Sequence, residues 1–259
     1  MAPLFVTAVY DVYGDAADAP ACSRVDAIWQ RLAAIAAGLP RLHVFADRAA
    51  PIALPAATVE LLPLEHTDTF RALAHVHELP PSRSAAKDTA TYLKLQCAKA
   101  ELLLRATLRH PDAAAVVWID AGIVKILPPQ PAPVTVVSAL ARQAQALLDA
   151  GDAATLILPG CWPRQCDIAA GGMADGVRWR FCGGLCFVPQ ELTADFAAAT
   201  LAAAVEIAAA TGRLTWEVNV WELLESKAQL PVEWHPGDHD ASMFEVFHRA
   251  VARRGPQPI

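Results

Sequence analysis

Two apolar patterns alternate along the chain. Short unbroken runs recur at Leu4-Phe5-Val6-Thr7-Ala8-Val9-Tyr10, Leu42-His43-Val44-Phe45, Thr58-Val59-Glu60-Leu61-Leu62, Val116-Val117-Trp118-Ile119 and Thr155-Leu156-Ile157-Leu158. Bounded by turn residues, runs of this length read as strands buried on both faces. Between them lie longer stretches of helical pattern: 23–37, stopped by Gly38 and Pro40, then 87–109, then 135–150, ended by Gly151. Residues 193–210 and 215–225 read as two further helices separated by Gly212, and 176–189 carries strand-like alternation around Cys182-Gly183-Gly184. With no internal repeat and no linker, the order predicts one α/β domain whose mostly parallel central sheet is flanked by helices.

The run through Trp118 and Ile119 ends on Asp120-Ala121-Gly122. A carboxylate at the carboxyl end of a central strand enters the crevice where open α/β sheets bind ligands, and burying it demands a hydrogen bond, a partner or a cation. Asp also caps turns, so Asp120 alone fits either role. Three other stretches can meet it there. Gly183-Gly184 allow backbone to approach a ligand, Thr215-Trp216-Glu217 opens a helix with a carboxylate, and Pro236-Gly237-Asp238-His239-Asp240 sets an imidazole between two acids. The ends of the first two strands add Thr7, Tyr10, Asp11 and Asp47 as weaker ligand-side candidates, and Trp162, Trp179 and Trp216 could offer flat apolar faces to a ligand.

Composition narrows the ligand. The chain of 259 residues is 54% hydrophobic and 19% charged, enough apolar material for a substantial core. Its net charge of −6 argues against sequence-independent nucleic-acid binding, which needs a positive surface. An anionic ligand must then meet local Lys or Arg residues, a helix N-terminus or a metal. No signal-peptide pattern opens the sequence, and the Ala-rich 196–210 segment is shorter than a bilayer span and contains Glu206. A cytoplasmic protein without a transmembrane segment is expected. The six cysteines lack the spacing of common zinc modules and read as buried thiols.

In this order the pieces resemble the core of GT-A type nucleotide-sugar glycosyltransferases. More narrowly, Tyr92-Leu93-Lys94-Leu95-Gln96-Cys97-Ala98-Lys99, Trp118-Ile119-Asp120-Ala121-Gly122, Thr215-Trp216-Glu217-Val218-Asn219-Val220-Trp221 and Gly237-Asp238-His239-Asp240 are similar to the HtrL/YibB-type bacterial family. The resemblance implies a GT-A-like Rossmann-type domain over 1–259, with a nucleotide-binding half at 1–125 and an acceptor half at 126–259. It also implies a hexosyltransferase-type enzyme of carbohydrate biosynthesis, with a nucleotide-sugar donor, UDP-linked first among the options, and a glycan, lipid-linked or small-molecule acceptor. Asp120 and His239 would be ligands of a divalent cation, Mn2+ or Mg2+, and Gly183 and Gly184 the loop beside the donor. Glu217 would be the catalytic base of an inverting transfer.

One position departs from the pattern. Many members of the fold carry a second Asp two residues after the first, and here that residue is Gly122. Lys94, Lys99 and Arg83 are then candidates to neutralise a departing diphosphate without a metal. The alternatives are a non-catalytic nucleotide- or sugar-binding protein and a nucleotidyltransferase. The latter lacks its Gly-rich, Arg-containing loop after the first strand, where Tyr10-Asp11-Val12-Tyr13-Gly14-Asp15 is acidic. No G-x-G-x-x-G follows that strand either, which disfavours a dinucleotide oxidoreductase.

Overall fold

A computed structural model describes residues 2–12, 21–54, 56–151, 154–165 and 168–254. Tyr13, Gly14, Asp15, Cys166 and the side chain of Cys22 lie outside this description. Seven strands, β1 (Leu4–Val9), β2 (Leu42–Ala46), β3 (Ala57–Leu61), β4 (Ala115–Ile119), β5 (Leu156–Gly160), β6 (Leu185–Pro189) and β7 (Val232–Pro236), form one sheet in the order β3-β2-β1-β4-β6-β5-β7. The ladders are parallel except where β6 runs against both β4 and β5. The sheet is therefore mixed but mostly parallel, and the β4–β6 ladder joins the strands of 1–125 to those of 126–259.

Both faces are covered. Alternate side chains of β4 show how, since Val116 and Trp118 enter one apolar cluster while Ala115, Val117 and Ile119 enter the other. The first cluster is completed by α3 (Ala90–Arg109), α5 (Thr193–Thr211) and α6 (Glu217–Ser226), the second by α1 (Ala21–Ala36), α4 (Pro133–Asp149) and α7 (Val246–Arg254). A short helix, α2 (Asp68–Ala72), packs against α3. Burying every residue of β4 explains why its sequence is a continuous apolar run rather than an alternating one.

Three elements depart from the sequence pattern. Only Leu185–Pro189 of the 176–189 stretch is strand, because the preceding residues turn around α6 and Gly176 makes an isolated bridge to Ser82. Strand β7 has no apolar run to announce it; Glu233 and His235 interrupt it, and the buried His235 donates from Nε2 to Glu233 Oε1 at 2.8 Å. A 3-10 turn extends α5 backwards, so that Gln190–Thr211 makes 22 continuous helical residues containing an 18-residue window of mean hydropathy 1.5. That is long and apolar enough to cross a membrane by length and composition, which corrects the shorter segment expected. Phe196, Ala203, Ala204 and Ile207 are nevertheless buried, and the helix packs on α3 and α6 as a core helix does. It ends where Gly212 takes the left-handed conformation at φ 71°.

Because β6 is reversed, Leu185 pairs with Ile119. The start of β6 thus lies beside the carboxyl end of β4, and one rim collects the exits of β1, β4, β5 and β7 together with the residues that lead into β6.

Candidate functional site

Lys99 is the centre of that rim. It sits midway along α3 and is 1% exposed, so this candidate for neutralising a diphosphate is a buried residue. Its Nζ donates to Gly183 O at 2.7 Å and Glu217 Oε1 at 2.7 Å, and meets Asp120 Oδ1 at 3.1 Å. Three N–H bonds thus meet three acceptors, which leaves none for a ligand. Burial pulls the Lys99 ammonium down, but the Asp120 and Glu217 carboxylates outweigh it and hold it above its ordinary range. Asp120 Oδ1 also accepts from Trp118 Nε1 at 2.7 Å, and the Asp120 amide donates to Gly184 O at 2.9 Å. The two glycines, the strand-end acid and the helix-opening acid read from the sequence therefore meet around one lysine. Glycine at 183 leaves room for this pair, since a Cβ there would stand 1.8 Å from Glu217 Oε1.

Helix α6 is held in place by its own polar residues. Asn219, fully buried, donates to Met173 O at 2.8 Å and Gly176 O at 2.9 Å and accepts from Arg178 N at 2.7 Å. One turn on, Glu222 takes Arg178 at 2.7 and 3.1 Å, and Glu225 takes Arg180 at 2.7 and 2.6 Å. These contacts fasten the 173–182 segment along α6, so Glu217 and Gly183 arrive at Lys99 on a shared support.

A cleft of about 280 Å³ opens over this set, bordered by Asp120, Gly183, Gly184, Trp216, Glu217 and His239 among others. Three basic residues that sequence reasoning missed also border it: Arg31 from α1, Lys87 before α3 and Lys125 after β4. None makes a salt bridge among the described residues. Burial, then the neighbouring charges of Arg31 and Lys87, pull the Lys125 ammonium below its ordinary range. No pattern in the sequence sets them apart from other surface cations, since the cleft that gathers them is made by segments far apart in the chain.

The remaining candidates are dispersed. Tyr10 borders the cleft but is 3% exposed, its hydroxyl donating to Leu62 O at 2.8 Å, with burial first and Asp47 next raising its pKa. Thr7 is buried within β1, Asp11 pairs with Arg24 at 3.5 Å and Asp47 is exposed; none of the three borders the cleft. Lys94 is buried on another face of α3, where burial lowers its pKa, and Arg83 donates to Pro80 O at 3.2 Å, both away from the cleft. Trp179 and Trp216 border it, whereas Trp162 does not.

Asp120 and His239 share the cleft, but they do not assemble a hard-cation site. The Oδ1 of Asp120 is already taken by Trp118 and Lys99, residue 122 is glycine, and no group of three metal-ligating side chains among the described residues includes Asp120. His239 instead joins Cys161 and Cys182, whose ligand atoms and its own all lie within 4.8 Å of one another. Of the cysteines read as buried thiols, Cys97, Cys182 and Cys186 are buried and Cys161 is half-buried. Burial pushes the Cys161 thiol up to about 11, and burial raises Cys182 as well, so neither is a ready nucleophile at neutral pH.

No protein-family model matches the sequence, and no curated protein matches it. Among solved structures, the chain is similar to Rv0371C from Mycobacterium tuberculosis H37Rv, determined in complex with manganese, at 17% identity, covering 97% of this chain and 100% of that one with a TM-score of 0.37.

Proposed function

We propose that this protein transfers a sugar from a nucleotide-linked donor to an acceptor hydroxyl. The observation that carries the reading is the union, in one cleft, of three basic residues that make no salt bridge among the described residues with two carboxylates fixed by a buried lysine. Arg31, Lys87 and Lys125 suit a diphosphate, whose negative charge grows as it leaves. Glu217 suits the proton that the acceptor hydroxyl sheds while attacking the anomeric carbon. Lys99 acts as a positioning residue, because all its donors are spent on the protein. The free oxygen of Asp120 is left to accept from a sugar hydroxyl. A cleft of about 280 Å³ suits a small ligand rather than a polymer. No step is routed through a divalent cation, since the residues around Asp120 do not fit one. Glycine at 122 favours a second reading, a binder of the same ligand without turnover.

Thermal unfolding in the presence of nucleoside diphosphates and nucleotide sugars, each with magnesium, manganese or chelator, tests this directly. At least one nucleotide should raise Tm by mass action, and Lys125→Ala should remove most of that shift. Glu217→Gln should retain binding and lower diphosphate release by about 100-fold or more. Binding without any diphosphate release in the unmodified protein establishes the second reading; no shift with any nucleotide overturns both.

A further inference from the structure

We infer that Cys161, Cys182 and His239 bind a thiophilic divalent ion, zinc, which ties together the ends of β5, β6 and β7 beside the cleft. The geometry comes first. Cys161 Sγ lies 3.6 Å from Cys182 Sγ and 3.9 Å from His239 Nδ1. A tetrahedral zinc, with sulfur at about 2.3 Å and nitrogen at about 2.0–2.1 Å, sets its ligand atoms about 3.5–3.8 Å apart. The three atoms are thus within a few tenths of an ångström of their places on at least two edges, whereas a disulfide would need the sulfurs at about 2.05 Å.

The backbone holds these ligands where they are. Cys161 N donates to Trp179 O at 3.1 Å, Cys182 N to Pro159 O at 2.8 Å and Gly237 N to Gly160 O at 3.0 Å, so the three ligand-bearing segments are laced to one another before any ion arrives. Gly160 makes the lacing possible, since a Cβ there would stand 1.8 Å from Arg180 O. The His239 ring packs edge-on against Trp179 with centroids 4.2 Å apart.

Donor chemistry then selects the ion. Two sulfurs and an imidazole are poor ligands for magnesium, calcium or manganese and good ones for zinc. The fourth position faces Asp238 Oδ1, 3.3 Å from Cys161 Sγ and 3.2 Å from His239 Nδ1, or is left to a water. On binding, the two S–H groups release their protons to solvent and two zinc–thiolate bonds form, with no change of oxidation state. The ion would fix His239 and Trp179 at the mouth of the cleft, and the site stands independently of the reaction proposed above.

The test is zinc content by elemental analysis of reduced, tag-free protein after equilibration with zinc and dialysis, repeated with cobalt. One equivalent of zinc is expected, together with a thiolate-to-cobalt charge-transfer band. Cys161→Ser and Cys182→Ser should lose both signals, Cys97→Ser and Cys186→Ser should keep them, and Asp238→Ala should weaken zinc by about tenfold. Circular dichroism of each variant separates lost metal from lost fold; because Cys161 is half-buried, Cys161→Ser is the variant that decides if Cys182→Ser misfolds. Absence of zinc and cobalt from the reduced protein, or their retention by folded Cys161→Ser, overturns the inference.

Discussion

At the scale of single residues, the decisive one is Lys99. A buried ammonium with three acceptors is stable only as a set, so Lys99→Met should leave Glu217 ionised and unpaired in the core at a cost of about 3–5 kcal/mol, measurable by denaturant unfolding. Gly183→Ala should act through the same set from the other side. Its new methyl displaces Glu217 Oε1, and the expected outcome is a folded but less stable protein that has lost turnover more than ligand binding, read as kcat against KM. Asp120, Gly183, Gly184 and Glu217 were each legible in the sequence because strand ends, paired glycines and helix-opening acids have positional meaning. Lys99 was legible only as one of three cations, with Lys94 and Arg83, offered to a departing diphosphate. Its role depends on residues 183 and 217, far away in sequence, so local pattern could not assign it. The Cys161, Cys182 and His239 group was invisible for the same reason, since its spacing matches no local metal motif.

At the scale of elements, α6 is unusual in burying almost all of its surface, acids included: Glu217, Glu222 and Glu225 are each below 9% exposed. Each acid is matched by a base from another segment, so the helix organises the 173–182 stretch as much as it fills the core. Asn219→Ala removes the amide that holds Met173 O and Gly176 O, and should destabilise the protein by about 1–3 kcal/mol while opening 173–178 to proteolysis before global unfolding. Helices and parallel strands were readable because their apolar periods are imposed by burial. Strand β7 was not, since an edge strand needs only one neighbour and tolerates His235 and Pro236. The reversal of β6 was equally hidden: a buried strand has the same composition in either direction.

At the scale of the whole molecule, three histidines make stability depend on acid. His43 is lowered from 6.5 to about 4, first by burial and then by His110; burial likewise lowers His110 and His235. A depressed folded pKa means that the unfolded chain binds more protons between the two values. Stability is therefore full above pH 6.5 and falls as pH drops toward 4, with His43 contributing on the order of 3 kcal/mol. His43→Gln should flatten that fall in urea titrations across the window; an unchanged slope would remove His43 as its source. Glu60, 3.4 Å from His43, moderates the effect by favouring the charged imidazole.

The reversed strand also dictates an order of assembly on the ribosome. Strand β4 pairs with β1 as soon as both have emerged, but its other edge must wait for β6, about 65 residues later, or roughly 3–13 seconds at ordinary rates of synthesis. During that interval Ala115-Val116-Val117-Trp118-Ile119 is a bare apolar edge, the kind on which chains add to one another. Asp120, directly after that run, sets a charge at its end, the placement by which gatekeeper residues restrain such edges.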